Sequence, residues 1–246
     1  MSRLGSQVLA SILVNAIYEM KNYPVVLLNT VLSPISFLVL IFFVSDGALL
    51  GEAILGGLIM TMFQSGTFLQ ADLSHLKNDF KLQEMVVSSP TRPATYVLGM
   101  ALSEIIYSSP AIVILSVLFA LNIHVPALQV AGIIVVLLLM FLASVAVSFA
   151  FATISSDIVQ SFAFTRLLTT LFSTIAPVYY PIALIPEPYR YLAYLSPTTY
   201  AAQIAHHLGG LTPVASGTLA IDWTVLLAFT VLFLWVGVRR SRWREI

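Results

Sequence analysis

Few side chains in this sequence can do chemistry, and most of those lie close to the ends of long apolar runs. Glu104 and Arg166 fall inside such runs, and Asp157 stands at a boundary. An ionisable group within an apolar span is a functional candidate, as a proton carrier, an ion ligand or a partner of another charge. Glu104 lies about two turns into its run, close enough to the end to reach the interface or to pair with Arg92. Arg166 is long enough to reach the interface as well. Both therefore read as structural pairs more readily than as midplane machinery. His206 and His207 are adjacent. Neighbouring positions on a helix point in different directions, so the two make a poor metal site. Cysteine is absent, which removes disulfides and thiolate metal centres. No Gly-x-x-x-x-Gly-Lys-Ser/Thr loop is present, so the chain has no such cradle for nucleotide phosphates. No set of nucleophile, base and orienting group emerges. A catalytic centre is not expected.

The other polar concentration is a segment rather than a site. Lys77, Asp79, Lys81, Glu84 and Arg92 fall within the region that contains KLQEMVVSSPTRPATYVLG, Lys81 to Gly99. Leu73, Leu76, Phe80 and Val87 fall near one face of a helix across residues 73–93, with the charges elsewhere. Pro90 and Pro93 end that helix and redirect the chain. A plain connection needs only a few residues. An apolar face with no partner in the chain suits docking into a groove on another protein, or lying on a lipid surface. The residues alone leave both readings open.

Stepping outward, the elements that position these residues are long apolar helices. The 246 residues are 59% hydrophobic and only 9% charged, with a mean hydropathy of +0.97. A soluble domain carries about a quarter charged residues, so a bilayer is the fitting solvent. Formal net charge is zero, and no basic block suggests nucleic acid. Six runs approach the roughly 20 residues needed to span a membrane: Pro24–Val44, Ala53–Ala71, Ala94–Leu121, Ala127–Thr153, Ile158–Pro181 and Ile221–Val238. They are continuous rather than alternating, which indicates helices and not a barrel. All of the 11 cations except Arg190 fall on one side of such a layout, which makes that side cytoplasmic. Asp46, Glu52, Glu187 and Asp222 lie on the other. Both termini are then cytoplasmic. Residues 1–22 read as no signal peptide, because polar groups recur on every turn. Gln7, Ser11, Asn15, Tyr18 and Asn22 form a polar stripe, and Val8, Ile12, Ala16 and Met20 an apolar side, the pattern of a helix lying in the interface. Small residues at Gly57, Thr61 and Ser65, and at Ser144, Ser148 and Ala152, are expected to seat neighbouring helices. Pro181, Pro186, Pro188 and Pro197 break regular helix, so residues 182–215 are expected to form short broken helices covered by protein or lining a cavity, or else an ordinary external loop with interfacial tyrosines.

Two stretches carry a family likeness. KLQEMVVSSPTRPATYVLG resembles the first cytoplasmic loop of ABC-2 type permeases, the membrane subunits of one class of ATP-binding-cassette exporters. The motif falls on Leu82, Glu84, Ser89, Pro90, Arg92 and Gly99, with departures at Phe80 and Met100. Downstream, YYPIALIPEPYRYLAYLSPTTYAAQIAH resembles the segment before the family's last span. Tyr179, Tyr180, Pro181, Pro186, Pro197 and Tyr200 fit, whereas Ser196, Gln203 and His206 replace an Asn, an acid and an Arg.

The resemblance implies an all-α membrane protein that is one domain over residues 1–246. It would have six transmembrane helices, an N-terminal interfacial helix, a coupling helix in the cytoplasmic loop and a re-entrant extracellular lid. It implies a permease in the plasma membrane with no cofactor of its own, and ATP and magnesium bound by a partner. That partner is an ABC ATPase in two copies, acting with a second permease copy or a paralogue, among membrane lipid and without nucleic acid. Lys81, Leu82, Gln83, Glu84, Met85, Val86 and Arg92 would touch the ATPase, and Tyr179, Tyr180, Pro181, Pro186, Pro197 and Tyr200 would form the lid. Few charges line the spans, which disfavours a small, highly charged cargo. Drugs, lipids and lipid-linked glycans stay open. Phe162, Phe164, Phe172, Tyr179 and Tyr180 can stack on a cargo or simply pack. An ion-coupled carrier or a membrane-embedded enzyme is the competing class, and would work without an ATPase.

Overall fold

The apolar runs do fold as helices. In the computed structural model, which describes residues 3–78, 93–155 and 157–240, helix accounts for 83% and no strand occurs among the described residues. Helix α1 (Arg3–Ile12) passes through a π-helical turn, Leu13–Ile17, into α2 (Tyr18–Asn22). Pro24 opens α3 (Pro24–Val44) at a position where its missing N–H leaves no gap in the ladder. A turn at Asp46 and Gly47, both with positive φ, leads to α4 (Leu50–Asn78). The chain continues as α5 (Pro93–Tyr107), α6 (Ser109–Asn122), α7 (Ala127–Ile154) and α8 (Ile158–Ile175). After a 3-10 turn at Ile182–Leu184 come α9 (Arg190–Ala193), α10 (Pro197–Leu208) and α11 (Ser216–Arg240).

Helix α4 is the hub. It packs on α3, α5, α6, α7, α8 and α10. From Glu52 to Phe63 every residue is buried. Small residues let the neighbours come close. A Cβ on Gly57 would stand 3.2 Å from Leu115 of α6, and one on Gly66 would collide with Ser144 of α7. The Ser65 and Ser108 hydroxyls hydrogen-bond across 2.6 Å. Both expected small-residue stripes thus lie in helix contacts, with Ser144, Ser148 and Ala152 buried.

By length and composition α7 (Ala127–Ala152) and α11 (Ser216–Val236) can each cross a membrane, and the pair α5 and α6 can be a third span. That pair departs from the single run expected over Ala94–Leu121. It bends by 58° at Ser108, because Pro110 enters the first turn of α6 and cannot continue the ladder of α5. The run expected over Ile158–Pro181 also stops early, at Ile175. Pro177 holds Ala176 extended (ψ 131°) and so ends α8. Helix α3 contributes the shorter apolar helix Thr30–Val44. Helices α4 and α11 extend past the runs expected at Ala53–Ala71 and Ile221–Val238.

The N-terminal helix docks on α5. Ser11 would stand 2.8 Å from a Cβ on Gly99, a spot that only glycine leaves open. The apolar side expected to meet lipid faces the bundle instead, with Ala16 fully buried. A second apolar set, Leu9, Leu13, Val14 and Ile17, is the exposed one.

Candidate functional site

Two regions at opposite ends of α4 correspond to the expected sites. At its C-terminal end the chain leaves α4 at Asn78 and returns at Pro93. The docking residues Lys81, Leu82, Gln83, Glu84, Met85, Val86 and Arg92 lie outside the described residues. Within the described parts of α4 and α5, acidic side chains meet. Glu104 of α5 is only 7% exposed, so it does not reach the interface. Its side chain hydrogen-bonds to Asp72 of α4, and Glu19 of α2 lies close enough to feel both charges. Two carboxyls can share a hydrogen bond only if one carries a proton. Partial burial, and then the charge of Asp72, raises the pKa of the Glu19 carboxyl.

At the other end of α4 the expected lid residues come together, though not all in one role. Tyr179 is buried and stacks on Phe37 of α3, ring centroids 5.1 Å apart. Tyr180 packs half-buried against the same core. Pro181 leads into the 3-10 turn, Pro186 is exposed, and Pro197 is buried at the start of α10. Tyr200 donates to the Tyr194 carbonyl at 2.8 Å. Thr199 donates to the Ala193 carbonyl. Arg190 turns inward, donating to the carbonyls of Ala183 (3.3 Å) and Ile185 (3.1 Å) and facing Glu187 at 3.5 Å. Around it Leu184, Tyr189, Tyr191, Leu192 and Leu195 are exposed. The arginine of this segment is partly covered by main-chain oxygens, while Glu187 and several apolar side chains are turned out.

Val178 and His206 are held against α4 through main-chain carbonyls. His206 is 2% exposed and its Nε2 lies 3.3 Å from the Glu52 carbonyl. The Val178 carbonyl rests so close to Gly56 that any Cβ there would strike it. His207 faces another way, and its Nδ1 accepts from the Val214 N–H. The two histidines thus serve separate contacts, and no cluster of metal-ligand type occurs among the described residues. Arg166 is exposed on α8. Of the aromatics, Phe172 meets Phe63 and Phe164 meets Phe151 by edge or tilted contacts, while Phe162 is exposed.

Residues 6–208 match the family profile described as ABC-2 type transporter. The chain belongs to the ABC-2 type transporter family. It is therefore the membrane subunit of an ABC transporter, an integral membrane protein whose ATPase is a separate chain. The match covers most of the 246-residue chain, and α11 lies beyond it. No curated protein matches the chain at a significant level.

Two contacts of this ABC-2 subunit escape a reading of residues alone. The His206 pairing joins positions 154 apart in sequence and uses a main-chain acceptor, so no motif announces it. The Asp72–Glu104 bond joins two acids, which composition presents as repelling. Pro177 is visible in the sequence, and it alone could have been read as the end of α8.

Proposed function

We propose that this ABC-2 permease exports an amphipathic or lipid-like substrate, a drug, lipid or lipid-linked glycan, from the cytoplasm across the plasma membrane. Two ABC ATPase copies act on a dimer of permeases through the segment 73–93, and residues 182–215 close the outer side. The observation that carries this reading is the course of α4. It starts at the lid contacts, Glu52 and Gly56, and ends at Asn78, where the docking segment begins. One buried helix therefore joins the end an ATPase would push to the end a cargo would leave. Helix directions support six crossings: α4 runs antiparallel to α8 at Phe63–Phe172 and Gln70–Thr165. The outward tyrosines and leucines of the lid suit a segment dipping into the outer leaflet.

An ion-coupled carrier keeps one observation in its favour, the hydrogen bond between the Asp72 and Glu104 carboxyls. The family's reliance on an ATPase weighs against it.

The deciding experiment replaces Leu82 by Asp. Burying a leucine side chain contributes about 1.5–3 kcal/mol, and an unpaired carboxylate in the groove adds a further penalty. The variant should insert and express normally, lose co-purification with its ATPase, and lose export and substrate-stimulated ATP hydrolysis together. Full coupling and export by Leu82→Asp would mean that the helix merely rests on lipid.

A further inference from the structure

The face between α4 and α8 has more hydrogen-bonding groups than it uses. Phe63 meets Phe172, ring centroids 5.4 Å apart, and Thr165 donates to Gln70 at 3.4 Å. From 63 to 70 and from 172 back to 165 the spacing is equal, so the two helices lie antiparallel with their rows aligned. Gln70 is fully buried, and its Nε2 has no hydrogen-bond partner. Whichever way the amide is turned, one end stays unmet. One turn to either side of Thr165 stand Ser161 and Thr169, and the hydroxyls of both are buried without a partner. Ser148 of α7, one turn beyond the Ser144 that touches Gly66, is in the same state.

This is unusual within the molecule itself. Thr61, Ser65, Ser103, Ser144 and Thr230 are buried too, and each donates to a carbonyl of its own helix three or four residues back. That local bond is equally open to Ser161 and Thr169, and they do not make it. Unmet polar groups buried in a bundle are costly, and here they repeat at one-turn intervals on both sides of the one bond that is made.

We propose that α8 moves along α4 by one helical turn, with Gln70 exchanging Thr165 for Ser161. The shift is about 6 Å, four residues of helix rise. Side-chain chemistry selects its direction. If Ser161 comes level with Gln70, Leu168 comes level with Phe63, so apolar again meets apolar. Thr165 comes level with Gly66, where Ser144 offers a hydroxyl. A shift the other way would bring Thr169 to Gln70 but set Phe63 against Ala176, beyond the end of α8 at Ile175. Only one direction keeps both rows matched. Discrete one-turn jumps of this kind are known for packed elements, because interdigitated rows have separate resting positions. The moving helix also touches the lid, since Thr198 of α10 donates to the Phe172 carbonyl at 3.3 Å. On the export reading, on which this last step rests, the jump presses α8 against the lid.

The test uses cysteine pairs, for which the cysteine-free chain offers no background. Phe63→Cys with Phe172→Cys reports the register described here. Phe63→Cys with Leu168→Cys reports the shifted one. Both pairs should cross-link with a short bifunctional reagent in membranes of intact cells, and energy depletion should change their ratio. Adding Gln70→Leu should abolish the 63–168 product, leave the 63–172 product, and leave the thermal stability of the detergent-solubilised protein equal or higher. A Gln70 that is merely structural would instead give loss of stability and of both products. Absence of the 63–168 product from energised cells, with the 63–172 product formed, overturns the shift. A 63–168 product indifferent to energy depletion leaves the shift standing and overturns ATP drive, which co-purification with the ATPase tests separately.

Discussion

At the scale of single residues, the Asp72–Glu104 pair makes the sharpest claim. A hydrogen bond between the two carboxyls joins α4 to α5. Glu104→Gln keeps a donor for Asp72 and should unfold within a degree or so of the parent in detergent. Glu104→Ala removes the hydrogen-bond partner of the exposed Asp72 and should cost about 0.5–1.5 kcal/mol. Equal thermal stability of the two variants would remove the pair from the account. Glu19 supplies a pH dependence. Its carboxyl has a pKa above the ordinary value because of burial and the charge of Asp72. The folded state therefore takes up this proton at a higher pH than the unfolded state does. Stability should rise as pH falls through the folded-state pKa, and Glu19→Gln should flatten that rise in pH-dependent melts.

Among the elements, glycines separate tight packing from open space. Gly56 sits under the Val178 carbonyl, and Gly217 in α11 has nothing within 4 Å of a would-be Cβ. Gly56→Ala should destabilise the protein by displacing the backbone at Val178 and Tyr179. Gly217→Ala should be neutral or stabilising by up to about 1 kcal/mol through helix propensity. Chemical unfolding of both variants distinguishes a packing clash from a propensity effect. How the elements were legible follows the same division. Apolar runs announce their helices because a run of that length has no other way to satisfy its backbone in lipid. The runs do not announce where a helix bends, since Pro110 and Pro177 each sit inside or beside apolar sequence and act through one missing N–H and one steric clash. The polar stripe of the first 22 residues was legible as a stripe, yet which side meets the bundle depends on Gly99, far along the chain. The docking residues Lys81 to Val86 and Arg92 rest on resemblance alone. The lid tyrosines were legible as a group, but only contact geometry separates Tyr179, stacked in the core, from Pro186, exposed.

For the whole molecule, orientation is the first quantity to measure. Cysteines placed at Ser74, near the end of α4, and at Thr218, in the first turn of α11, should respond oppositely to an impermeant thiol reagent in intact cells. Thr218→Cys should label and Ser74→Cys should not, and the reverse pattern would invert the molecule in its membrane. Spin labels stepped through residues 182–208 should report shielding from water at Leu184, Tyr191 and Leu195 despite their exposure to the outside of the protein. Uniform wetting there would describe a plain external loop. The manner in which the lid is held has a consequence for how this protein can change over generations. Arg190, Thr199, Tyr200 and His206 each reach a main-chain oxygen, at Ala183 and Ile185, Ala193, Tyr194 and Glu52 respectively. Every residue type offers that oxygen, so the side chains at the receiving positions are under no obligation to these bonds. The outward positions Leu184, Tyr189, Tyr191, Leu192 and Leu195 are likewise free of them. A segment fastened this way can drift, or be randomised in a library, across much of its surface while its shape persists.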